Sequence, residues 1–572
     1  MRHLIFLIAA AGVSCARLFS NPIDDLAKTA PAELVKQMTL EEKVGQLIHI
    51  GMAGKAMNPA LKADIEKYHV GGVILFEINL GKGPEIKALT DSIQDVESKS
   101  PNAIPIFVSI DQEGGRVVRV KDGVEQFPGA AAIGQTGDEA LAHDAGFITA
   151  QDLSALGIPF VLAPVVDVNN NPANPVINTR SYGGDPNLVT RMALAYASGV
   201  MDASCIPALK HFPGHGNTGT DSHTSLPTVK QDLAQMDAVE LVPYKEGIKR
   251  GFPVIMSAHI VFPALDPAEP ATLSPKILKD FLRTKLGFQG LITTDALEMK
   301  AVADRYPPPV LARKAFTAGV DVLLLTSSGE RTRLMFESLV DGFKKGELPM
   351  QDLDRAVERQ IELKIRAGLF HKYKMNRPAW STNVQEAFQV REEAQKKLRS
   401  EIAARYKDGL NRTISRASIS SLRKAYNGVG QRADAKLFLR SPASVQQAQE
   451  LGLEKQVTVS GFPVGSAAAV IAGFCRPGAQ CPAAVIVELA DFDLWRWNQL
   501  VAEMNDARKS NRTVPVLVGL YTGNPYLNVR VPSDGAVIGS FSPTEESLRA
   551  LVYRAFEGGP VREARLVLAE EK

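Results

Sequence analysis

The sequence predicts an α/β chain of two units, a (β/α)8 barrel of the TIM type followed by a smaller α/β domain. Within residues 32–370, eight short apolar segments alternate with helical patterns. Polar residues interrupt these segments almost only at their C-terminal ends. A second set of strand-like segments follows a charged stretch. A length of 572 residues also exceeds what one ordinary core accommodates.

The eight segments are "GQLIHIGM" (45–52), "GGVILF" (71–76), "IPIFVSID" (104–111), "IPFVLAPV" (158–165), "CIPALKH" (205–211), "PVIMSAH" (253–259), "GLITTD" (290–295) and "VDVLLLT" (320–326). Their near-continuous hydrophobicity fits strands buried on both faces. Helix start signals lie between them; Thr39 and Glu42, for instance, have capping-box spacing before "KVGQL". Asp111, Asp167, Lys210, His211, His259 and Asp295 sit at or just past the C-terminal strand ends, the catalytic face of such a barrel. Strand starts, which meet water equally, carry Ile104, Ile158, Pro253 and Gly290 instead.

Residues 371–411 are charged and rich in Gln and Ala, and are expected to form a helical linker. From 412 to 572, "AKLFLRS", "QVTVSG", "AAVIVELA", "VPVLVGLY" and "GAVIGSF" alternate with segments such as "TEESLRALVYRAF", which predicts the second α/β domain.

At the N-terminus, Arg2 and His3 precede an apolar run over residues 4–13, and the small residues Ser14, Cys15 and Ala16 follow. This is the layout of a signal peptide over residues 1–16, with a run too short to span a bilayer. Export to the periplasm or beyond is therefore expected. Cys15 is alternatively a lipid-bearing cysteine, although Gly12 stands where such sites usually carry Leu. Cys205 lies in an apolar run and is expected to be a buried thiol. Cys475 and Cys481 bracket the turn-like "RPGAQ", where export would permit a disulfide; two free thiols are the alternative. A net charge of +2 gives no support for nucleic acid as a partner.

Asp295 ends the apolar "GLITT", where a carboxylate is lifted to the pocket floor and can attack an electrophilic carbon. The competing role is an N-cap for the following helix. In "DQEGGRVVRV", Asp111, Arg116 and Arg119 could bind vicinal hydroxyls, with a structural ion pair as the alternative. Arg180 follows the long loop "DVNNNPANPVI" and joins the rim only if that loop folds inward. "KHFPGHGNTGTDSH" (210–223) starts with Lys210 and His211 at a strand end. Asp221 and His223 in an extended D-S-H emerge on the same side, and a carboxylate beside an imidazole fixes its tautomer. That is a proton-transfer dyad in outline. A metal site would need His211, His215, Asp221 and His223 to converge, and neither HExxH nor paired CxxC spacing supports it.

"DQEGGRVVR", "KHFPGHGNTGTDSH", "MSAHIVFPALDP" and "GFQGLITTDALEM" together resemble glycoside hydrolase family 3, in its β-N-acetylglucosaminidase branch. The resemblance is close over residues 32 to about 370 and looser over the tail, which is similar to the α/β sandwich domain of two-domain members. It implies Asp295 as nucleophile, His223 as general acid/base and Asp221 as its orienting partner. It further implies Asp111, Arg119, Arg180, Lys210 and His211 as sugar ligands, and no metal or organic cofactor. The implied activity is removal of terminal β-linked GlcNAc from cell-wall or chitin fragments, with retention through a glycosyl-enzyme. Phosphorolysis, another β-glycosidase activity, and sugar binding without turnover are the competing readings.

Overall fold

The apolar segments become eight short parallel strands because each side chain along them finds an apolar partner, whichever face it points to. In the computed structural model these are β1 (Ile48–Ile50), β2 (Gly72–Leu75), β3 (Phe107–Ile110), β4 (Phe160–Val161), β5 (Ile206–Phe212), β6 (Val254–Ser257), β7 (Leu291–Thr294) and β8 (Leu323–Leu324). The sheet order is β8-β1-β2-β3-β4-β5-β6-β7. A bridge between Thr293 and Val322, with Thr294 N–H donating to Val322 O at 3.0 Å, joins β7 to β8 and closes the barrel. The structure describes residues 22–171, 173–219, 225–375, 381–407, 409–418, 497 and 501–502, together with seven short strands beyond residue 419. The expected leader with Cys15, and Cys475 and Cys481, lie outside the described residues, as do Asp221 and His223.

Strand alternation decides which side chains enter the barrel. Phe107, Ile206, Ala208, Val254, Met256 and Leu291 belong to the cluster that fills its interior. Val108, Ile110, Leu209, Ile255 and Ile292 belong to the layer between strands and helices. Two-residue steps from Phe107, Ala208 and Leu291 reach Asp111, Lys210 and Asp295. All three therefore fall on the inward parity at the C-terminal end. The alternation breaks once: the β5–β6 register shifts between Lys210 and Phe212, so His211 occupies a bulge.

The helix Leu40–Gln46 starts as its sequence predicts, with Thr39 accepting from Glu42 N–H at 3.2 Å and Glu42 accepting from Thr39 N–H at 2.7 Å. Cys205 is a buried free thiol, and burial pushes it up to about 12. A helix spans Thr382–Arg405. The last third of the chain contributes β9 (Ser420–Leu422), β10 (Lys436–Leu439), β11 (Val457–Val459), β12 (Ala484–Leu489), β13 (Val516–Tyr521), β14 (Ala536–Gly539) and β15 (Arg562–Glu563). Their order is β11-β10-β12-β13-β14-β9-β15, parallel except between β14 and β9. The middle five match the five predicted segments, whereas β9 and β15 are additions. Among the described residues no helix is long and apolar enough to cross a membrane.

Candidate active site

Five chain segments meet at the C-terminal ends of the strands. After β3, Asp111 accepts a hydrogen bond from Lys210 Nζ at 2.7 Å, and Glu113, also 2.7 Å from Lys210 Nζ, forms a second ion pair with it. Glu113 also receives Arg180 through two parallel bonds, from Nε and Nη2, both 2.8 Å. The long loop after β4 thus folds inward and carries Arg180 to the rim. Two cations and two carboxylates share one buried cluster, and each charge has a partner of opposite sign. Burial alone would raise Glu113, but Arg180 and Lys210 hold it well below the carboxylate range. Burial alone would lower Lys210, yet Asp111 and Glu113 leave it raised.

Arg116 is exposed, whereas Arg119 is half-buried and its Nε lacks a hydrogen-bond partner. A guanidinium N–H left open in this way is a donor for a ligand oxygen; the carboxyl that feels the Arg119 charge is Glu77.

His211 is held by Asp167, whose Oδ2 lies 2.7 Å from Nδ1. His215 places Nδ1 at 2.9 Å from Thr218 Oγ1, and burial, with His211 next, lowers it to about 4, so it is neutral near pH 7. The two rings meet edge to face with centroids 5.6 Å apart. His259 sits between Thr272 Oγ1 at 2.8 Å and Ala296 O at 3.0 Å.

Asp295 is half-buried, and its Oδ1 accepts from Ala296 N–H at 2.7 Å. The next helix, Lys300–Ala303, is capped by Met299, so Asp295 is not its N-cap. Burial would raise the Asp295 carboxyl, but His211, then His259, the Ala296 N–H and Lys210 bring it down to about 2. It is an ionised carboxylate with an open oxygen on the inward face of the barrel.

The model of the glycosyl hydrolase family 3 N-terminal domain matches residues 39–363, more than half of the chain. The chain belongs to glycosyl hydrolase family 3. It is 38% identical over 331 residues to beta-hexosaminidase A of Pseudoalteromonas piscicida, an overlap that covers 54% of this chain and 55% of that one. It is 33% identical over 341 residues to beta-hexosaminidase LpqI of Mycobacterium tuberculosis, covering 58% and 85%. The chain thus spans about half the length of the first of these relatives. Among solved structures, a family 3 beta-N-acetylglucosaminidase from Paenibacillus sp. str. FPU-7 superposes with a TM-score of 0.75 at 29% identity, covering 92% of this chain and 98% of that one.

In this family 3 barrel the loops after β4 and β5 are interlocked. Asn174 Nδ2 donates to His215 O at 2.8 Å and Gly216 O at 2.9 Å, while its Oδ1 accepts from Val176 and Ile177 N–H. Asn171 Nδ2 donates to Thr218 O at 3.2 Å. A side chain at Gly216 would place Cβ 1.7 Å from Val168 O, so the close approach of the two loops requires glycine there. The chain resumes at Ser225, and Thr228 bridges Val261. The segment with Asp221 and His223 therefore starts from a pinned base on one side and a paired strand on the other.

The structure brings Asp111, Arg180, Lys210, His211 and Asp295 together, whereas Arg119 is tied by its backbone to Gln112 and its charge is felt by Glu77. Sequence reasoning left out Glu113 and gave Asp167 no role. Glu113 stands two residues after Asp111, which the inward parity of β3 makes a readable signal. Among the described residues, no group of three or more His, Cys, Asp or Glu side chains is arranged to hold a metal ion.

Proposed function

We propose that the protein is an exo-acting, retaining β-N-acetylglucosaminidase that removes terminal GlcNAc from cell-wall or chitin-derived fragments. The observation that carries this reading is Asp295, an ionised carboxylate at the end of β7 with one oxygen held by Ala296 N–H and three cationic or imidazole side chains in its field. The names of the relatives reported above support its β-N-acetylglucosaminidase part.

In this reading Asp111, Arg119, Arg180, Lys210 and His211 bind the sugar hydroxyls. Asp295 attacks the anomeric carbon and the glycosidic bond breaks, while His223, oriented by Asp221, gives its proton to the departing oxygen. His223 then takes a proton from water. That water attacks the same carbon, the bond to Asp295 breaks, and two inversions leave the configuration retained. The expected leader places this reaction outside the cytoplasm.

The test is turnover of aryl β-N-acetylglucosaminide beside aryl β-glucoside, with and without phosphate. Preferred hydrolysis of the N-acetylglucosaminide, unchanged by phosphate, supports the reading. A sugar phosphate as product would make the enzyme a phosphorylase, and binding without turnover of either glycoside would remove catalysis altogether.

A further inference from the structure

Asp167 is 1% exposed and lies past β4, yet its carboxyl is held toward the ionised form and receives several of the contacts that organise the histidine segment. Its Oδ2 lies 2.7 Å from His211 Nδ1. Both oxygens accept from the His211 backbone N–H, at 3.1 and 3.2 Å. Oδ1 also accepts from the His215 N–H at 2.7 Å. Its backbone carbonyl accepts from Ser181 Oγ at 2.6 Å, one residue beyond Arg180. Burial would raise its carboxyl, but His211, then His215 and these N–H donors, lower it. Arg180, Glu240 and Tyr244 are the other ionisable groups that feel its charge.

We propose that Asp167 is the positioning residue of this site: one carboxylate that fixes the His211 ring with its proton on Nδ1 and, through the His215 N–H, seats the loop leading to Asp221 and His223. The inference rests on the glycosidase reading. A carboxylate can only accept, so Nδ1 must carry hydrogen and Nε2 is the nitrogen left for a ligand. The bulge at His211 is what turns this ring off the strand alternation toward Asp167. His211 is in turn the first of the side chains that bring the Asp295 carboxyl down. Asp167 thus acts on the nucleophile without touching it. Removing its charge should alter sugar binding and the leaving-group step together.

The variant Asp167→Asn tests this, because an amide retains an acceptor for the two backbone N–H groups but loses the charge and can present N–H to His211 Nδ1. Ring-¹⁵N NMR of the full chain, with the His211 signals assigned by their absence in His211→Asn, should show Nδ1 protonated in the parent and the tautomer reversed in Asp167→Asn. The variant should lose kcat/KM on an aryl β-N-acetylglucosaminide by on the order of 10²-fold. The loss should appear in KM as well as kcat, because the reversed ring carries hydrogen on Nε2, where the parent offers a lone pair to the sugar. Asn174→Ala loosens the same loop without touching His211 and should slow poor leaving groups while leaving KM in place.

The proposal is overturned if the parent's His211 carries its proton on Nε2 alone, a result that needs no variant to fold. It is also overturned if Asp167→Asn reverses the tautomer yet leaves KM where Asn174→Ala leaves it. A parent that turns over no N-acetylglucosaminide defeats the glycosidase reading instead, and the NMR result still stands as a test of the geometry.

Discussion

At the C-terminal ends of the barrel strands, Glu113, Asp167 and Lys210 are withdrawn from water, Asp295 is half-buried, and every one is driven toward its charged form. Toward the N-terminal ends, His49, Glu97 and Lys364 are equally buried and are driven the other way. Burial lowers His49 to about 3 and Lys364 to about 7, and raises Glu97 to about 7. The physical difference is company. Glu113 and Lys210 have opposite charges within bonding distance, Asp167 has His211 and two backbone N–H donors, and Asp295 has the Ala296 N–H with His211, His259 and Lys210 in its field. Lys364 Nζ has only neutral acceptors, Gln46 Oε1 at 2.7 Å and Gly71 O at 3.0 Å, and lies over the Phe107 ring. Glu97 Oε2 has no partner. A large departure from ordinary titration therefore does not by itself mark a site of chemistry; the direction, and the presence of paired charges that keep groups ionised in a dry place, does.

The strongest way to break this contrast is Asp295→Ala. Turnover should fall by at least about 10⁴-fold because no covalent intermediate forms, while the thermal midpoint holds or rises. Near-normal rates would remove Asp295 as nucleophile and with it the functional meaning of the upper cluster. His223→Ala sharpens the account from outside the described residues. Substrates with poor leaving groups should slow by about 10²–10⁴-fold. A nitrophenyl glycoside should still form the glycosyl-enzyme, show a burst, and be released faster by azide as the β-glycosyl azide. Equal slowing of good and poor leaving groups, with no burst, would place the proton donor elsewhere.

Glu113→Gln asks whether pairing is what matters at the top. It leaves Arg180 and Lys210 with one carboxylate between them, so stability should fall by about 3 kcal/mol and KM should rise as Arg180 loses its bidentate anchor. An unchanged melting curve and KM would show that the cluster tolerates an uncompensated charge. At the bottom, Lys364→Met should leave kcat/KM untouched and change stability by no more than about 2 kcal/mol. Its signature is in pH. The folded value of about 7 lies below the ordinary 10.5, so the unfolded chain binds more protons between them, and parent stability from this group climbs as pH rises through that window and is flat below it. The variant should lose that climb; a retained climb would assign it to another group.

Much of the upper site was legible because strand periodicity is a rule of two. Once the apolar runs are read as strands, Asp111, Lys210 and Asp295 share the parity of their buried predecessors. Thr39 and Glu42 likewise announce a helix start in four residues. What periodicity cannot give is pairing across the chain. Arg180 and Glu113 are 67 residues apart, and nothing local tells that they form a bidentate pair. His211 escapes the rule altogether because it sits in a bulge, and Asp167 acts by what the bulge turns toward it. Lys364 is the opposite case. It shares a helix face with Val357, Gln360 and Ile361, all buried, but a lysine in "QIELKIR" reads as solvated.

The interlocked loops after β4 and β5 also divide the molecule by inheritance. At Gly216 the backbone has no room for a side chain, since Val168 O occupies its space; at Gly219 no atom of the described residues lies within 4 Å of where one would go. The bridge at Thr228 closes the other boundary. On the proposed reading, a change confined between these two marks would leave Asp111, Arg180, Lys210, His211 and Asp295 where they are. A lineage built on this scaffold would then revise the proton delivery proposed for His223 one short insertion at a time.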